Sequence, residues 1–314
     1  MLYGLPKNFN LGYACINTQL RKNDIFTSRT LRLDTYKKLG LKYVKELAIQ
    51  NLKDLLTILK WNVENKIFFF RLSSEMFPFA SHPEYGYKLE FADKLLKEVG
   101  KYAKKNNIRL TMHPGPYNNL TSPNPNIIRN TILDLTHHCE ILDRMKLDKN
   151  SVMILHGGGV YGNKELALQT LEINLKKLPK YILNRIILEN DEISYSIVDL
   201  LPISEKLKIP IVVDFHHDSL NPSPKPPQFY FNKIFDIWNK RKIKPKIHIS
   251  NSSPAITKSH NIMEKRKHSD IIVFIHAAIQ KIKFDLDVML ECKLKEQCVF
   301  AIRNTPRSEL FQSY

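Results

Sequence analysis

The stretch Ile209-Pro210-Ile211-Val212-Val213-Asp214-Phe215-His216-His217-Asp218 decides the fold. An unbroken apolar run ends on a carboxylate and is followed by two histidines. A run without polar alternation suits a parallel strand covered on both faces. Chemistry-bearing residues gathered just after it suit the C-terminal end of such a strand, where barrel active sites are built. The same grammar repeats in both directions. Candidate strands are Asn10–Cys15, Lys66–Leu72, Arg109–His113, Ser151–His156, Arg185–Glu189, Ile209–Phe215, Lys244–Ile249 and Asp287–Glu291. Between them lie helical patterns over Asp34–Trp61, Phe91–Asn106, Ile127–Leu147, Lys164–Leu178, Ser196–Leu207, Phe229–Asn239, His268–Ile282 and Lys293–Arg303. Apolar residues there recur at three and four spacing, as in Leu52, Leu55, Leu56 and Leu59. Eight strand–helix repeats predict an α/β fold, a single (β/α)8 TIM barrel over residues 1–303, followed by a tail, 304–314, with little to pack against. An open doubly wound sheet is the competing architecture, and periodicity does not separate the two.

Composition narrows the class. The chain has 314 residues, 43% hydrophobic and 25% charged, which is enough apolar sequence for a full core and excludes wholesale disorder. The cysteines, Cys15, Cys139, Cys292 and Cys298, form no CxxC pair, so neither a disulfide framework nor a Cys-rich zinc module is expected. The opening MLYGLPKNFN has no apolar signal core, and apolar runs such as Ile67–Phe70 and Ile271–Ile275 are far too short to span a membrane. The expectation is a soluble, intracellular protein with no membrane partner. A net charge of +17 makes a polyanion, nucleic acid above all, a candidate partner.

The strand ends carry the chemistry. His113 follows Leu-Thr-Met, His156 follows Val-Met-Ile-Leu, Glu189 follows Ile-Ile-Leu, Asp214 follows Ile-Val-Val, His248 lies in Lys-Ile-His-Ile-Ser, and Glu291 follows Val-Met-Leu. In a parallel barrel these ends converge on one face. Imidazole and carboxylate together suit Zn2+, Mn2+ or Fe2+, whereas Mg2+ and Ca2+ favour oxygen ligands alone. His217 adds a D-x-x-H pair with Asp214. The set is too large for one ion and matches a cluster of two or three. Such clusters hydrolyse phosphate esters by activating water and holding charge on the attacking and leaving oxygens. By contrast His137 and His138 read as surface or cap residues of a helix, and His276 as packed in an apolar helix. Gly157–Gly159 lacks the GKS/T that a phosphate loop requires.

The segments LGYACIN, RLSSEMFPFASHP, TMHPGPY, ILHGGG, ILEND, VVDFHHD, KIHIS, HSDII and DVMLECKLKE occur in that order from about residue 10 to residue 300. In this the chain resembles the UV damage endonucleases (UvdE/UvsE), which share a metal-bearing barrel with endonuclease IV and the sugar isomerases. The resemblance implies DNA repair by nicking duplex DNA immediately 5′ of cyclobutane dimers and (6-4) photoproducts. It implies as metal ligands His113, His156, Glu189, Asp214, His217, His248, His268 and Glu291, with Glu189 bridging two ions. His268 is preferred over His260 because it opens HSDII. The ions implied are two or three, Mn2+ first and Zn2+ as the alternative. His82 would act near the scissile phosphate, Lys246 would be carboxylated on its amine, and Tyr13 and Asn17 would line the substrate site. The family places a Gln-Tyr pair after His-Pro-Gly to fill the gap left by the extruded lesion. Here the residues are Pro116 and Tyr117, which leaves the lesion range open. Rival readings are an abasic-site endonuclease, a sugar isomerase or epimerase, and an inactive DNA-binding module. A monomer suffices for gripping one lesion.

Overall fold

A computed structural model describes residues 8–312. Its strands are β1 (Phe9–Ala14), β2 (Phe69–Arg71), β3 (Arg109–Thr111), β4 (Met153–His156), β5 (Ile186–Glu189), β6 (Ile211–Asp214), β7 (Lys246–Ile249) and β8 (Leu286–Leu290). All pair in parallel, in the order β3-β2-β1-β8-β7-β6-β5-β4. A parallel bridge between Met112 and Met153 joins the two ends, with the Met112 amide donating to Val152 O and the Ile154 amide to Met112 O. That seam settles barrel against open sheet, because an open doubly wound sheet leaves its edge strands unjoined. The eight predicted strands are found: the first and last are shifted one residue towards the N-terminus and the other six are trimmed.

The outer layer is α1 (Leu33–Glu64), α2 (Asp93–Lys105), α3 (Pro125–Arg144), α4 (Lys164–Lys177), α5 (Ile197–Leu207), α6 (Phe231–Arg241) and α7 (Glu296–Asn304). α1 kinks at Gly40, whose φ of 76° is open to glycine without a steric penalty. Leu52, Leu55 and Leu59 of the predicted stripe are fully buried, as is Ile58, while Leu56 is partly buried. The His268–Ile282 helix is absent. Ile275–His276 forms a two-residue strand and Ala277–Lys281 a 3-10 turn. Asn251 explains the difference: its Oδ1 accepts from the Val273 and Phe274 amides and its Nδ2 donates to Phe274 O, which fixes the segment as extended chain.

The tail also differs from its reading. Arg307–Leu310 is helical, Phe311–Gln312 pairs with Ile275–His276, and Leu310 is buried in the core. No disulfide framework is present among the described residues, but Cys292 and Cys298 are joined by a single disulfide that the sequence reading did not include, while Cys15 and Cys139 are free. His137 and His138 are buried, not surface residues. No helix among the described residues is long and apolar enough to cross a membrane.

The barrel interior is polar at both ends with a hydrophobic plug between. At the N-terminal end Asp287 takes Arg109 Nη1, Lys244 Nζ and Asn10 Nδ2. Above it packs Phe69, which with Met289 and Ala14 forms a small separate core cluster. Phe69 fits because residue 12 is glycine, where a Cβ would lie 2.3 Å from Phe69 O. The upper end holds the histidines and carboxylates.

Candidate metal centre

Among the described residues, three groups of ligand-type atoms lie at the C-terminal mouth, each within 4.8 Å: His113/His156/Glu189, Glu189/Asp214/His217 and Asp214/His248/Glu291. Consecutive groups share Glu189 and then Asp214, so carboxylates link all three. Both are buried at the ends of neighbouring strands β5 and β6. Glu189 Oε2 is 3.0 Å from His113 Nε2, and Oε1 is 2.6 Å from His248 Nδ1. His248 Nδ1 is also 3.3 Å from Glu291 Oε1. Several polar atoms here have no hydrogen-bond partner: Asp214 Oδ2, His248 Nε2 and His156 Nδ1. Buried polar atoms are normally satisfied. A cluster rich in unpaired lone pairs, with imidazole and carboxylate mixed, fits divalent cations of the Mn2+ and Zn2+ kind.

The electrostatics agree. Burial alone would raise the Glu189 carboxyl, but His248, His156 and His113 hold it well below the usual carboxylate range. Burial, joined by His113 and His217, pushes His156 down to about 4, leaving it neutral as ligation requires. Burial also opposes charge on His217, yet Asp214, Glu189, Glu192 and Glu291 outweigh it and lift His217 to about 9. Four carboxylates around one imidazole mark a site short of positive charge.

Turns anchor the ligands. The Asp214 side chain caps the short helix Phe215–Leu220 by accepting from the His217 amide, which fixes the D-x-x-H pair on one turn. Asn190 braces the same pair: its Oδ1 accepts from the Asp214 amide, its Nδ2 donates to Asp214 O, and its carbonyl faces His217 Nδ1 at 2.9 Å. The glycines after His156 leave room above it. A Cβ on Gly157 would stand 2.4 Å from the Tyr195 ring, and Gly158 has φ +97°. The adjoining cleft, about 270 Å³, is lined among others by Pro116, His156, Gly158, Glu192 and Arg266.

Lys246 is fully buried two residues before His248, and its Nζ has no hydrogen-bond partner. It sits 5.3 Å over the Phe69 ring. Burial, then Arg71 and Arg109, drive its amine well below the ammonium range. His268 falls outside the three groups, its ring 5.8 Å from that of His216. His82 spends Nδ1 on its own turn, accepting from the Glu84 and Tyr85 amides. Tyr13 and Asn17 are wholly buried: the Tyr13 hydroxyl donates to Asn62 and accepts from Asn17, whose Oδ1 caps the helix Thr18–Arg21. Neither side chain reaches the surface. Pro116 and Tyr117 are exposed, Tyr117 at 65%.

Sequence reasoning missed four neighbours. Arg71 pairs with Glu291 from the end of β2. Asn190 follows Glu189, His216 is buried with Nε2 unpaired, and Glu192 bridges Arg266 and His217. Arg71 obeys the same strand-end rule, but as a cation it falls outside a pattern of histidines and carboxylates.

Fold and site together define a (β/α)8 barrel with linked groups of side chains able to hold a metal ion at its C-terminal mouth. The chain belongs to the UV-endonuclease UvdE family, whose model matches residues 9–310. It is 41% identical to the UV-damage endonuclease of Schizosaccharomyces pombe over 95% of this chain and 51% of that one. It is 35% identical to the UV DNA damage endonuclease of Bacillus thuringiensis over 87% of both. It thus spans about half the length of the fission-yeast relative. The crystal structure of SacUVDE superposes with a TM-score of 0.81 at 28% identity, covering 94% of this chain and 96% of that one. Endonuclease IV from Thermus thermophilus shares the fold alone, at a TM-score of 0.51 and 10% identity.

Proposed function

We propose that this chain is a DNA repair endonuclease that nicks duplex DNA immediately 5′ of ultraviolet photoproducts. Glu189 carries the reading: one buried carboxylate common to two groups of candidate ligands, in a member of this family. His113, His156, Glu189, Asp214, His217, His248 and Glu291 would hold two or three divalent ions, Mn2+ first and Zn2+ second, with His268 at the rim. Such ions supply Lewis-acid activation of water and neutralise the attacking and leaving oxygens.

The protein's own residues hold and orient. Arg71 holds Glu291, and Asn190 fixes Asp214 against His217. Lys246 is carboxylated on its amine, since a buried ammonium between Arg71 and Arg109 is disfavoured and an anion there is welcome. His82, with Nδ1 committed to its turn, offers Nε2 to the scissile phosphate. Tyr117, on an exposed tip beside Pro116, fills the gap left by two extruded pyrimidines, which pair poorly once fused and flip at low cost. Tyr13 and Asn17 act from behind, by supporting the turn that opens at Thr18.

The test is nicking of end-labelled duplexes carrying one cyclobutane dimer, one (6-4) photoproduct, one abasic site or no lesion, with Mn2+ supplied. Incision 5′ of a photoproduct and not of undamaged DNA is expected. Cleavage confined to the abasic duplex, or none with ions bound, overturns the reading.

A further inference from the structure

Asp134, on α3, is buried at 3% exposure and touches none of the candidate metal ligands. Its two oxygens serve two different loops. Oδ1 accepts from Ser81 Oγ at 2.7 Å, in the loop after β2, one residue before His82. Oδ2 accepts from Asn118 Nδ2 at 2.7 Å, in the loop after β3, one residue beyond Tyr117. Asn118 in turn closes the tip that displays Pro116 and Tyr117: its amide donates to Gly115 O at 3.0 Å and its Nδ2 to the same oxygen at 3.1 Å. His138, one turn along α3, stands behind the carboxylate, with Nδ1 2.7 Å from Asp134 O and 3.4 Å from Oδ2.

We propose that Asp134 is a positioning residue that yokes the Ser81–His82 turn to the Gly115–Asn118 tip, so that reading of the lesion and grip on the phosphate share one buried anchor. The inference rests on the function proposed above for Tyr117 and His82. The chemistry favours a carboxylate: ionised, it is acceptor-only and serves two donors with two oxygens, each in a charge-assisted bond. An amide has one acceptor oxygen, so in Asp134→Asn the NH2 group either meets the Asn118 Nδ2 donor or turns to Ser81 Oγ, and two charge-assisted bonds become neutral ones of roughly half the strength; the coupling of the two loops weakens. Shape and volume barely change. The side chain therefore tests the yoke apart from packing.

Three variants, Asp134→Asn, Ser81→Ala and Asn118→Ala, are compared with the wild type after melting temperature and metal content are matched. Binding is measured to a dimer-bearing and an undamaged duplex at one salt concentration, and amide hydrogen exchange is followed across residues 79–85 and 115–119. Asp134→Asn should reduce the preference for damaged DNA by roughly tenfold, about 1.4 kcal/mol, with undamaged binding unchanged and exchange faster in both loops. Ser81→Ala should loosen the Gly115–Asn118 tip as well as its own turn, and it decides the matter should Asp134→Asn fail to fold. Exchange confined to each variant's own loop, with lesion preference intact, overturns the yoke. A wild type with no preference for damaged DNA overturns the functional reading instead, and the exchange comparison still judges the yoke on its own.

Discussion

A carboxylate buried among imidazoles, as Glu189 is, keeps its charge only while that charge is matched. His113 and His248 lie within hydrogen-bond distance and His156 is 3.6 Å away, so removing the negative charge disturbs every group at once. Glu189→Gln preserves shape and loses the anion that two cations would share. Nicking should fall by about 10²–10³-fold or more, the scale of losing one strong electrostatic stabiliser, while duplex binding stays close to normal. Near-normal cleavage with ions still bound would sink the bridging role. Lys246 makes a complementary prediction. A fully buried amine without a hydrogen-bond partner is open to carbon dioxide, and 13C-bicarbonate should yield a carbamate resonance that Lys246→Ala abolishes. The same spectrum in both proteins would leave Lys246 an ordinary buried amine.

At the scale of elements, strands were legible and what lies between them less so. IPIVVDF and its counterparts announce themselves because strands covered on both faces need unbroken apolar runs. The segment His268–Ile282 reads as a helix but becomes extended chain, a two-residue strand and a 3-10 turn, because the Asn251 side chain captures the Val273 and Phe274 amides from 22 and 23 residues upstream, a contact no local pattern contains. The strand-end register and the D-x-x-H pair gave the side chains that the three groups bring together, while His268, on that same misread crossover, lies outside them. Tyr13 and Asn17 could not be placed, since burial depends on Asn62, 49 residues from Tyr13. His137 and His138 went astray for a related reason: α3 turns them inward onto Phe77 and Asp134. That burial has a consequence. Burial, then His138, pushes His137 down to about 3, so in acid the unfolded chain binds a proton that the folded one refuses. Stability from this group is present above the ordinary histidine value and declines as pH falls toward 3, by up to about 1.4 kcal/mol per pH unit. His137→Leu should flatten the acid limb of the urea midpoint plotted against pH. An unchanged slope would show that His137 does not govern it.

For the whole molecule, the proposed function assigns the +17 charge to phosphates and the exposed tip at Tyr117 to bases. The two respond differently to salt. Phosphate contacts release counterions, so log affinity falls against log salt with slope about −0.9 for each phosphate neutralised. A base stacked on an aromatic ring contributes about 1–3 kcal/mol and releases no counterion. Wild-type binding to damaged and undamaged duplex should therefore give two nearly parallel lines, the damaged one higher. Tyr117→Ala should lower the damaged line by roughly tenfold or more at every salt concentration, since 1.4 kcal/mol is a factor of ten, and leave the undamaged line and both slopes alone. Pro116→Gln should raise or broaden lesion binding without altering either slope, because a neutral amide adds a hydrogen-bonding partner for orphaned bases and no charge. A fall of both lines together in Tyr117→Ala would make the tyrosine a general backbone contact. A change of slope would mean that the loop carries phosphates it has no charge to hold, and the division of labour between charge and ring would fail.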